Sequence, residues 1–76
     1  MARNILRALG EELRERRTQR GLSQEALAEK ADIHRNFVGL LERGQRNVTL
    51  LTLGAIADAL RLRVSELIER AEERMR

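Results

Sequence analysis

A chain of 76 residues with 15 basic and 12 acidic side chains, a formal net charge of +3, has room for one core and a mild preference for anions. No cysteine and a single histidine, His34, exclude disulfides, thiolate metal sites and a self-contained zinc site, and no cofactor is called for. No apolar run approaches the roughly 18 residues of a membrane span, and Met1 to Gly10 lacks a signal-peptide core, so a soluble cytoplasmic protein is expected.

Leu6, Leu9 and Leu13 recur at helical spacing, which predicts a first helix from about Asn4 to Gln19 with Gly21 as its stop. Ser23 precedes a short second helix over about Gln24 to Lys30, where Leu27 and Ala31 form a narrow apolar stripe. Asp32 marks the turn that follows, because a short polar side chain tolerates left-handed backbone. A third helix is expected over about Arg35 to Arg43, with Val38 and Leu41 inward and Gly44 ending it. Thr49 is the expected cap of a fourth, in which Leu50, Leu53, Ile56, Ala57 and Leu60 keep helical spacing. Ser65 is the expected cap of a fifth, carrying Leu67 and Ile68 and running into the mixed charges of Glu69 to Arg76. With no proline and no repeat, the pattern predicts one all-α domain over 1–76. Its core is expected over about residues 5–68, and 69–76 as a solvated or frayed charged helical extension.

Charge is unevenly spread. Between Ile33 and Thr52 stand Arg35, Arg43 and Arg46 against Glu42 alone, while acids crowd Glu11 to Glu15 and Glu66 to Glu73. The third helix therefore carries the basic footprint of a nucleic-acid face. With Val38 and Leu41 inward, Arg35, Asn36, Phe37, Gly39 and Leu40 face outward or flank. Arginine can bind guanine O6 and N7 with two parallel bonds, and asparagine can do the same with adenine N6 and N7. Phe37, the only aromatic residue, either presses on a thymine methyl or the sugar–phosphate wall, or fills a core gap beside Val38.

Gly21-Leu22-Ser23-Gln24-Glu25-Ala26-Leu27-Ala28, followed by Glu42-Arg43-Gly44, resembles the Cro and phage-repressor type of helix-turn-helix domain, from about Leu9 to Leu67. The run Glu42-Arg43-Gly44-Gln45-Arg46-Asn47-Val48-Thr49 is similar to that of small controller proteins of restriction–modification systems, and the short chain fits that subgroup. The resemblance implies a five-helix fold whose second helix lies across the phosphate backbone while the third enters the major groove. Gln24 would then donate to a phosphate, helped by the helix N-terminus. Arg43, Gln45, Arg46 and Asn47 would grip the next phosphates, with a base edge or the minor groove as the alternative for Arg46. Arg17 and Glu42 fall where the family often joins the first helix to the end of the third by an ion pair. Two positions depart from the pattern: His34 stands where Ser, Thr or Asp usually caps the reading helix, and Arg16 where an apolar residue is common.

A single module covers too little DNA to be selective, so a homodimer on a palindromic site is expected. Leu51 and Ala55 fall on the outer side of the fourth helix, Gly54 permits close approach, and Val64 and Ile68 extend the patch. The expected function is a sequence-specific transcriptional regulator binding double-stranded DNA, nucleoid-associated when bound. RNA polymerase is a further candidate partner. No pairing of carboxylates with a nucleophile and no phosphate-cradling glycine loop suggests an enzyme. The rival reading is an antitoxin that masks a toxin and autoregulates its operon.

Overall fold

The computed structural model describes the backbone of residues 2–76 and the side chains from Asn4 onward. Five helices follow in order: α1 (Ala2–Gln19), α2 (Gln24–Ala31), α3 (Arg35–Glu42), α4 (Leu50–Ala59) and α5 (Val64–Arg74). Each start has a local cause. The Ser23 hydroxyl accepts from the Ala26 N–H at 3.0 Å, and the Thr49 hydroxyl from the Thr52 N–H at 3.1 Å. His34, unpromising as a cap by residue type, caps α3 nonetheless: its Nδ1 accepts from the Asn36 N–H at 3.1 Å, which places the ring proton of the neutral form on Nε2. Ser65 does not cap α5. The N-cap is Arg63, whose N–H donates to the Glu66 carboxylate at 3.0 Å. A glutamate three residues into a helix can reach back in this way, and that interaction set the boundary two residues earlier than the serine suggested.

The ends of α1 to α4 share one device. Gly21, Asp32, Gly44 and Arg61 take left-handed φ values of 70°, 57°, 70° and 57°. The following amide then folds back onto the helix: Leu22 N–H to Arg17 O, Ile33 to Ala28, Gln45 to Leu40 and Leu62 to Ala57, at 2.8–3.1 Å. Such an end commonly seats an apolar residue just past the helix. Leu22, Ile33 and Leu62 are half-buried and pack on the core. Gln45 is the exception: it is exposed, because the chain leaving α3 runs along the outer surface.

The core gathers Leu9 and Leu13 of α1, Leu27 of α2, Val38 and Leu41 of α3, Leu53, Ile56 and Leu60 at α4, and Leu67 of α5. Burying one such leucine fully is worth roughly 1.5–3 kcal/mol. α1 packs on α3 and α5, α2 on α3 and α4, and α4 on α5. Three apolar expectations shift. Leu6 is only half-buried, outside the core and close to the loop after α3. Leu50 is 74% exposed rather than inward, since it occupies the first residue of α4, beyond the reach of the core. The core also passes residue 68, taking in the fully covered Ala71.

The charged end of α5 is tied down rather than frayed. The Arg74 guanidinium donates to the Glu12 carboxylate at 3.0 Å and to Glu15 at 2.9 Å, joining α5 back to α1. Arg16 meets the same buried Glu12 carboxylate at 2.7 Å. Its unusual residue type at that position thus serves a carboxylate that would otherwise be costly to bury. Burial pushes the Glu12 carboxyl up, but hydrogen bonds from Arg16 and Arg74, with their positive charge, outweigh that and hold it below its ordinary value.

Candidate nucleic-acid interface

The first turns of α2 and α3 flank an open cleft lined by Ser23, Gln24, Glu25, Arg35, Asn36, Gly39, Leu40 and Arg43. Arg35 and Asn36 open α3 and are both exposed, so a ligand can reach them. The Arg35 guanidinium donates to the Glu25 carboxylate across the cleft at 3.3 Å. Gly39 forms the cleft floor beneath Gln24 and Arg43; a methyl group there would meet Arg43 at 3.4 Å, which a flexible side chain can absorb.

Below the cleft sits a buried ionic network. Glu42 accepts from Arg17 Nε at 2.6 Å and Nη2 at 3.1 Å, while Arg17 Nη1 donates to the Leu22 carbonyl at 2.7 Å. Gln24 Nε2 also donates to Glu42, at 3.1 Å. The Glu42 carboxylate thus ties α1 and the start of α2 to the end of α3, while Arg17 also holds the turn before α2 through the Leu22 carbonyl. The buried charges are therefore paired and hydrogen-bonded. Gln24, expected at a phosphate, spends one amide hydrogen on this network and has a second to offer outward.

Two glycines make the arrangement possible, and both are set by proximity. A Cβ on Gly10 would lie 2.3 Å from the Leu41 carbonyl oxygen and 2.7 Å from that of Glu42, so α1 crosses directly over the end of α3. A Cβ on Gly44 would stand 2.8 Å from the Arg7 Cα. α1 thus clamps the last turn of α3 and the loop beyond it. In the sequence Gly10 carries one signal only, a glycine inside a helical pattern, which costs about 1 kcal/mol unless packing needs it.

Beyond α3, Arg43, Gln45, Arg46 and Asn47 are all exposed. Arg43 Nε donates to Gln45 at 3.1 Å. The Arg46 guanidinium lies 5.4 Å from the centroid of the Phe37 ring. Phe37 is half-buried against the core, so one face of the ring packs inward while the ring also carries Arg46. Of its two alternatives the fold shows the core one, Phe37 packing against the core; the contact with Arg46 is a further one that the sequence did not announce. Arg35 and Arg43 line the cleft, and Glu25 and Glu42, the carboxylates described beside it, are both engaged by arginines.

A cleft between two short helices joined by a tight left-handed turn, with an arginine and asparagine on the exposed start of the second, is the architecture of a DNA reader. A helix-turn-helix family model matches residues 13–67. The chain belongs to that family. It is a helix-turn-helix DNA-binding regulator of the Cro and phage-repressor type. It is 45% identical over 67 residues to the control protein C.SmaI of Serratia marcescens, covering 88% of this chain and 80% of that protein. To the control protein C.BamHI of Bacillus amyloliquefaciens it is 36% identical over 70 residues, covering 91% and 86% respectively. The crystal structure of the restriction–modification controller protein C.AhdI from Aeromonas hydrophila superposes with a TM-score of 0.80 at 48% identity, over 82% of this chain and 94% of that one.

A separate face lies on the opposite pair of helices. Leu51 is 89% exposed on α4, and with Leu50, Gly54, Ala55, Leu62 and Val64 it borders a shallow apolar groove between α4 and α5. Among the described residues, nothing beyond its own helix lies within 4 Å of where a Gly54 Cβ would be, so packing there does not require a glycine. Ala55, Val64 and Ile68 are half-buried and packed on the core, with the rest of their surface outward. Leu50 belongs to this patch, although it shares the helical spacing of Leu53 and Ile56. No helix of the described residues is long and apolar enough to cross a membrane, and no cluster of potential metal ligands occurs among them.

Proposed function

We propose that this protein is a transcriptional controller of the restriction–modification type, acting in the cytoplasm as a homodimer on a palindromic operator. The observation that carries the reading is the exposed Arg35–Asn36 pair at the start of α3, held over the cleft by the buried Arg17–Glu42–Gln24 network. Two side chains able to read guanine and adenine edges stand on the helix that enters the major groove, while Gln24 and the arginines of the exit loop face the flanking phosphates. The similarity to control proteins over most of their length supports the controller subtype. Homodimerisation rests on the α4 patch: Leu50 and Leu51 expose large apolar side chains beside a glycine that leaves open space. RNA polymerase would be the third party wherever such a dimer sits beside a promoter.

Selection of bound duplexes from a randomised library tests this directly. A two-fold symmetric consensus with half-site centres about 34–36 Å apart is expected, corresponding to one helical turn. Enrichment of no sequence overturns the reading; enrichment of a single asymmetric half-site overturns the dimer alone.

A further inference from the structure

Among the residues lining the cleft, Glu25 is the one carboxylate. Its side chain is 73% exposed and its Oε2 lies 3.3 Å from Arg35 Nη1 on the neighbouring helix. A negative charge on a face meant for a polyanion works against binding by repelling phosphate. The nearby Glu42 carboxylate avoids that cost by being buried under Arg17 and Gln24, whereas Glu25 remains at the surface. As a stabilising contact the Glu25–Arg35 pair is weak, because exposed ion pairs are screened by water and salt. Its position nevertheless gives it a hold on the side chain that reads sequence.

We infer that Glu25 is a specificity-determining residue that keeps Arg35 off phosphate and aims it at the base edges. The inference rests on the DNA-reading role of α3. Glu25 uses one Nη1 hydrogen of a guanidinium that has five donors in a rigid fork. The remaining edge can therefore still bind guanine O6 and N7 while the carboxylate holds the group in place. On a non-cognate site no such acceptor pair is offered, and Arg35 stays on Glu25 instead of swinging to the nearest phosphate. Non-specific affinity is thereby held down, while cognate binding retains its bidentate contact. Glu25 also sits in the first turn of α2, where a negative charge favours the helix dipole, so a purely structural role has to be separated from this one.

The test uses two duplexes: the sequence enriched by the wild-type protein from a randomised library, and a scrambled duplex of the same composition. Glu25→Gln keeps the size and polarity of the side chain. It is expected to raise affinity for the scrambled duplex, to steepen the salt dependence of that binding by roughly 0.9 in log–log slope, and to cut the specific-to-scrambled ratio by about tenfold. In an Arg35→Ala background the same change is expected to leave the ratio where it is. A ratio that Glu25→Gln does not alter overturns the proposal, since simple removal of charge raises both affinities together. A drop of equal size in the Arg35→Ala background overturns it too, because Glu25 would then act without Arg35. Should the wild-type protein enrich no sequence at all, the DNA-reading role fails and this inference falls with it.

Discussion

Under the proposed function, individual side chains on α3 and its exit loop divide into those that would read and those that would grip. Arg35 is exposed at the start of α3, where a bidentate contact to guanine is within the reach of an arginine. Arg35→Ala is expected to cost about 1–3 kcal/mol on the selected duplex and to relax preference at one guanine per half-site, as measured by titration against single-base variants. Arg43 and Arg46 sit past the helix, one bonded to Gln45 and the other resting on Phe37. Alanine at either position should weaken binding to all sequences alike and flatten the salt slope by roughly 0.9; unchanged slopes in both variants would remove them from the phosphate backbone. Glu42 is a different kind of residue, buried and meeting donors from Arg17 and Gln24. Glu42→Ala strands the Arg17 guanidinium in a desolvated site and is expected to cost roughly 3–5 kcal/mol in denaturant unfolding. Replacing Arg17 and Glu42 together by well-packed apolar residues should recover much of that, because the loss comes from the charge left alone.

Helices meet here through contacts that their own periodicity does not announce. α1 crosses the end of α3 at Gly10, with carbonyl oxygens where a Cβ would be. Gly10→Ala gains helix propensity of about 1 kcal/mol and should still destabilise the protein, because the backbones must part to admit the methyl group. A melting temperature at or above that of the wild type would show that α1 can shift at no cost. The α1–α5 junction has its own signature. Glu12 is buried between Arg16 and Arg74, and their hydrogen bonds hold its carboxyl below the ordinary value near 4.5. A lowered carboxyl contributes stability that is fully present above its unfolded value and is lost as pH falls through the folded one. Melting temperature should thus decline as pH drops from roughly 5 towards 3, and Glu12→Gln should make that decline shallower. An acid limb of identical slope in Glu12→Gln would assign the acid sensitivity to other carboxylates.

For the molecule as a whole, the proposed α4 interface would set how many reading helices act at once. Leu51 is 89% exposed beside Gly54, which no other element among the described residues approaches. If two copies meet there, Leu51→Glu brings like charges together near the symmetry axis and should yield a folded monomer. That monomer is expected to lose specific affinity and keep weak non-specific binding, as two half-sites must be engaged together for selectivity. Sedimentation as a dimer would move the interface elsewhere, most simply to α5. The family, the order of the helices and the exposure of Arg35 and Asn36 were legible from sequence because they depend on local rules: apolar spacing, Ser23 and Thr49 as caps, Gly21 and Gly44 as left-handed stops. Even the Arg17–Glu42 pair followed, through resemblance. Local rules failed where a residue's role depends on a distant neighbour. His34 caps despite its type, Ser65 yields to Glu66 reaching back to Arg63, and Leu50 leaves the core because α4 only begins there. Arg74 anchors the charged tail because α1 happens to present Glu12 and Glu15 opposite it. Spacing along one helix specifies which side chains share a face; what that face meets is decided by the packing of other helices. For that reason the tertiary structure alone reveals Gly10 under the α3 carbonyls and Glu25 across from Arg35.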